Sequence, residues 1–159
     1  MHLSKFISII LHPIFMPLWA LYLTLKVLPS VMFAISQHIN YIYGIVIFCT
    51  IILPLLSIFF LMRKGRVGSL EMSNHKERSP PLFRTAIWMS LGFFMLSNIL
   101  LYTPILKAEI LGAILIVLLA GIISRFWKIS LHLLAIGGVV GIFIALQVMG
   151  REVLYLLLI

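Results

Sequence analysis

The chain has 159 residues, 63% hydrophobic and 10% charged, with twelve Lys and Arg against four acids and a formal charge of +8. A soluble domain carries about 45–50% apolar residues, and a chain this short has too little interior for the excess, so a bilayer is its natural solvent. The basic residues lie in short loops between apolar runs, which fits anionic headgroups and argues against a nucleic-acid partner; lone Cys49 rules out an intrachain disulfide, and the lack of aspartate rules out the Asp-rich magnesium motifs of prenyltransferases and alcohol phosphotransferases.

A helix crossing the hydrocarbon core needs roughly 20 apolar residues. The sequence predicts such spans at 6–28, 41–62, 85–106, 108–124 and 130–149. A final apolar run, 153–159, covers only about 10 Å at 1.5 Å per residue. The expected architecture is one all-α domain over 1–159, a polytopic transmembrane bundle of five spans and a partial sixth; either the final run is a hydrophobic tail on the membrane surface or, as favoured here, the sequence is a fragment of a longer protein. The first segment is too long in its apolar run for a signal peptide and has no small-residue cleavage site after it. It contains His12-Pro13 and Met16-Pro17, so a proline-kinked helix with an incidental histidine is expected, with His12 near the membrane surface as an alternative site member.

The loop at 63–84 holds six of the twelve cations: Arg63, Lys64, Arg66, Lys76, Arg78 and Arg84. With five spans, Lys5, this loop, Arg125 and Lys128 fall on one side, nine cations in all, and Lys26, Lys107 and Arg151 on the other. By the positive-inside rule the N-terminus and the loop are cytoplasmic, in what is expected to be a bacterial inner membrane. The loop's second half reads His75-Lys76-Glu77-Arg78-Ser79-Pro80-Pro81. The two prolines suit the first turn of the third helix, which has no use for their missing N–H groups. Cations gathered at that helix start are placed either to trap an anion or simply to touch lipid headgroups.

A second cluster runs Ser124-Arg125-Phe126-Trp127-Lys128-Ile129-Ser130-Leu131-His132. If helical, it puts Arg125, Lys128 and His132 on one face at i, i+3 and i+7. Arg125 and Lys128 can snorkel and Trp127 can anchor at the interface, but His132 lies deeper and defaults to a functional reading. Spans three and four leave and return, so both clusters share one leaflet. Guanidinium and ammonium groups bind phosphate oxygens, a serine hydroxyl can assist, and histidine transfers protons or attacks phosphorus. In the fifth span Gly137 and Gly141 form a GxxxG pair beside Gly138, which suits close helix packing or the approach of a ligand to the backbone.

Lys76-x-Arg78-x-Pro80, then Lys128-Ile129-Ser130-Leu131-His132 and Gly137-Gly138, resembles the type 2 phosphatidic acid phosphatase (haloperoxidase-like) superfamily, in a divergent branch of small bacterial membrane proteins. The resemblance covers roughly residues 6–150, in motif order and hydrophobic pattern. It implies metal-independent, cofactor-free hydrolysis of a phosphorylated lipid through a phosphohistidine. It further implies that Lys76, Arg78 and Ser130, with Lys128 beside them, hold the phosphate, and that His132 protonates the leaving alcohol. His12, His75 and Arg125 are accessory candidates. The chain departs from the family at three places. Lys76 and Arg78 are separated by one residue where the family has six, and His132 follows Ser130-Leu131 where Ser-Gly-His is expected. The third motif, with its nucleophilic histidine, is not in the sequence. The alternative is a non-enzymatic membrane protein that grips anionic lipid or a partner.

Overall fold

A computed structural model describes residues 11–65 and 75–150. Every regular element among them is helical. The side chains of His75 and Lys76, and the expected partial sixth helix at 153–159, lie outside the described residues.

His12 caps a 3-10 turn, Pro13–Phe15, that leads into α1 (Met16–Val27). Leu28 leaves helical geometry because a residue preceding proline is pushed out of the α region, and Pro29 then starts α2 (Pro29–Ile35). A 3-10 turn, Ser36–His38, joins α2 to α3 (Ile39–Ile47), and a π-helical turn, Phe48–Ile52, joins α3 to α4 (Leu53–Arg63). Pro54 accounts for the widened turn. It has no N–H to offer the Thr50 carbonyl and its ring would crowd that group, so the Leu53 N–H reaches back to Phe48 and the hydroxyl of Thr50 bonds Val46. Gly65, at φ +66°, takes the left-handed position that ends α4, its N–H bonding the Met62 carbonyl.

The second half comprises α5 (His75–Met95), a short α6 (Ser97–Leu100), α7 (Pro104–Ile123) and α8 (Leu131–Val148). Pro104 and Ser130 set two of these starts. Proline is preorganised for a first helical turn, and the Ser130 hydroxyl accepts the Leu133 N–H at 3.4 Å as an N-cap. Helices α5 and α7 run antiparallel in extensive contact. Trp88 Nε1 donates to Ser57 Oγ at 2.7 Å, tying α5 to α4.

The hydrophobic core gathers where α1 passes into α2 and α6 into α7, around Val27, Ile35, Leu96, Leu100 and Leu106. Large apolar side chains elsewhere, such as Phe94, Leu133 and Ile144, face outward. Among the described residues, three helices are long and apolar enough to cross a membrane: Pro29–Arg63, Pro104–Ile123 and Leu131–Val148. The first has 35 residues, about 52 Å at 1.5 Å each, and so exceeds a hydrocarbon core of about 30 Å.

The expected boundaries shift in three places. The second span starts at Pro29, where 41 was expected, because the linking turns stay helical. The third helix starts at His75, ten residues before 85, so Pro80 and Pro81 sit inside it and not in its first turn. Their fixed φ is helical, and what they cost is two N–H bonds, to the carbonyls of Lys76 and Glu77. That helix also breaks at Leu96 before 106 is reached, and Pro104 starts the next one early.

Candidate functional site

Several of the basic and polar residues named from sequence meet at one end of the bundle, where α5 starts, α7 ends and α8 starts. Arg78, one turn into α5, donates from Nη1 to the Ile129 carbonyl at 3.0 Å. Its neighbour Ser79 is buried, and its hydroxyl donates to the Gly121 carbonyl at 2.8 Å. The same oxygen accepts from Arg125 Nε at 3.2 Å. The Arg125 guanidinium lies over the Phe83 ring at 5.2 Å, a cation–π contact that holds it against α5. Gly121 faces Leu82 and Phe83 of α5, where an added methyl would make ordinary contacts at 3.5 Å.

His132 stands in the first turn of α8, three residues past the carbonyl that Arg78 holds. Its Nε2 is buried and has no hydrogen-bond partner among the described residues. The ring meets that of His12 edge to face, with centroids 5.5 Å apart and planes at 85°. His12 Nδ1 accepts the Ile14 N–H at 3.3 Å. A nitrogen that accepts cannot carry the proton, so neutral His12 is protonated at Nε2. The expected incidental histidine of a kinked helix is therefore in ring contact with the histidine that sequence singled out.

The expectation that Arg125, Lys128 and His132 share a helix face is overturned. Helix α7 ends at Ile123, residues 124–130 form a non-helical connection, and the Ser130 cap starts α8 afresh. Arg125 reaches the site through Ser79, and Lys128 is exposed on the connection. Ser130 is also exposed; its oxygen accepts the cap bond, which leaves its O–H free in valence to donate to an anion. The backbone of Lys76 and His75 opens α5 at the same end.

Below this end lies an apolar chamber of about 930 Å³ between α1, α7 and α8, with walls from α3, the π turn and α5. It extends from Pro13 and Leu133 to Glu109 and Met149. The glycines of α8 divide in role. Gly138 would bring an added methyl to 3.1 Å from Ile116 and so packs against α7. Gly137 and Gly141 have nothing within 4 Å of an added methyl and line the chamber. The GxxxG pair thus makes no close helix packing among the described residues.

Two features of this geometry escaped the sequence reading. Ser79 sits in the quoted motif, but a serine before two prolines reads as a helix start and not as a hinge between α5, α7 and Arg125. Glu109 is buried in α7 with Thr24 Oγ1 donating to its Oε2 at 2.9 Å. Its signal was available: an acid inside an apolar run is costly and points to a specific role. No family model matches the sequence, and no curated protein or solved structure is similar to it.

Proposed function

We propose that this chain is a lipid-phosphatase-like integral membrane protein that hydrolyses a lipid phosphate or diphosphate monoester without a metal. The observation that carries this reading is the convergence of His12, Arg78, Ser79, Arg125 and His132 from segments up to 120 residues apart. Such a cluster supplies cations for phosphate oxygens and an imidazole for proton transfer. Lys76, Arg78, Lys128 and Ser130 hold the phosphate in this reading. The bond between the terminal phosphorus and its bridging oxygen breaks, and His132 gives its proton to that oxygen, which leaves as an alcohol from a monophosphate or as a lipid phosphate from a diphosphate; water supplies the oxygen that ends on the released phosphate, and the proton it sheds restores His132. The protein crosses a bacterial inner membrane five times and begins a sixth crossing, with its N-terminus and the 63–84 loop cytoplasmic, in keeping with the distribution of its cations.

The test is release of phosphate by the purified protein from phosphatidate, phosphatidylglycerophosphate and an isoprenyl diphosphate, with chelator present. Release from at least one is expected; no release from any of them ends the enzymatic reading.

A second reading, a non-enzymatic integral membrane protein that binds anionic lipid or a partner, is favoured by one observation. The Arg78 and Arg125 side chains hydrogen-bond protein groups, Ile129 O and Ser79 Oγ, and thereby staple the connection after α7 to α5. Under that reading, binding to phosphatidate vesicles weakens with salt and is indifferent to His132→Ala.

A further inference from the structure

The chamber is lined almost wholly by hydrocarbon, yet its wall includes one carboxyl group, that of Glu109. Glu109 is 9% exposed. Its Oε2 accepts from Thr24 Oγ1, and among the described residues neither oxygen has any other hydrogen-bond or ion-pair partner. The nearest cations in sequence, Lys26 and Lys107, are exposed. A carboxyl group buried among hydrocarbon holds a charge only where a cation or several donors meet it, and one hydroxyl supplies little of that. Opposite, Gly137 and Gly141 leave the α8 side of the chamber open. The volume, about 930 Å³, falls in the range of sites that enclose an elongated organic ligand, about 300–1,000 Å³.

We propose that the chamber binds a long-chain lipophilic amine, with its ammonium group on Glu109 and its chain along Gly137 and Gly141. An ammonium group lets the carboxyl carry its charge in this setting and can donate to both of its oxygens. The alkyl chain lies against the apolar remainder of the lining. The site is distinct from the basic end, because Glu109 precedes Gly121 by twelve residues of α7, about 18 Å along the axis. The tail of a lipid phosphate held at the basic end would also fit the volume, but it offers nothing to a carboxylate.

The experiment titrates the full chain in neutral detergent with hexadecylamine, hexadecanol and hexadecyl phosphate, and follows bound ligand by native mass spectrometry. Hexadecylamine is expected to bind at least tenfold more tightly than hexadecanol. Glu109→Gln, which keeps the acceptor for Thr24, should bring the two within twofold. Gly141→Leu, with Glu109 intact, should weaken both by filling the chamber, and it decides the matter should Glu109→Gln fail to fold. Equal affinity for amine and alcohol, or an undiminished preference in Glu109→Gln, overturns the proposal. So does a lack of binding, or an unchanged affinity in a folded Gly141→Leu protein. Tightest binding of hexadecyl phosphate, lost in Arg78→Ala, overturns it too and makes the chamber the tail room of the phosphate site. Arg78→Ala should leave amine binding unchanged, so the amine site stands or falls apart from the phosphatase reading.

Discussion

His132 buries an imidazole nitrogen with no partner among the described residues, beside a second imidazole and within a turn of a carbonyl held by arginine. General acids contribute about 10²–10⁴-fold; under the proposed hydrolysis, His132→Ala should therefore lower phosphate release at least 100-fold with little change in vesicle binding, measured by initial rates and co-sedimentation. Ser79 has a different part. Ser79→Ala removes the bond to Gly121 and the anchor of Arg125, and should destabilise the protein by about 1 kcal/mol, as interhelical bonds do in membranes, read from unfolding in detergent. Charged and imidazole side chains were legible as site members because apolar surroundings make them conspicuous. Arg78 and His132 stand out in the sequence for that reason. Ser79 does not, since its importance depends on which carbonyl lies opposite, and His12 is legible only as an accessory candidate because its ring partner is 120 positions away.

The start of α8 was legible, since the Ser130 cap falls at the expected boundary of 130. Pro29 and Pro104 start helices twelve and four residues before the expected 41 and 108, although each carries the same kind of local mark, a missing N–H that suits a first turn. The long start of α5, the break at Leu96 and the π turn were hidden, because they reflect which carbonyl each N–H reaches. Contacts between elements give a sharper test. A methyl group on Gly92 would lie 3.0 Å from Cys49 Cβ and 3.2 Å from its sulfur, where α5 meets the π turn. Gly92→Val should therefore cost about 1–3 kcal/mol by overpacking. Gly137→Ala, with nothing within 4 Å, should leave thermal unfolding nearly unchanged or raise its midpoint through better helix propensity.

For the whole molecule, Arg63, Lys64, Arg78, Arg84, Arg125 and Lys128 belong to the site end of the bundle, and Lys26 and Lys107 to the end where α1 finishes and α7 starts. A cytoplasmic site end predicts that reporter fusions after Gly68 and after Gly150 report opposite faces, the first cytoplasmic; the same face for both would refute the five-span topology. Hydropathy made the membrane class legible. The chamber was not, since an empty volume is a property of side chains that fail to meet. The π turn Phe48–Ile52 is one residue more than an α-helix would use, the form an insertion takes when a helix absorbs it without breaking. Because the surplus is taken up within that turn, the windings before and after it stay in phase. The helix thus carries Pro54 through its middle while Ser57 keeps its place opposite Trp88.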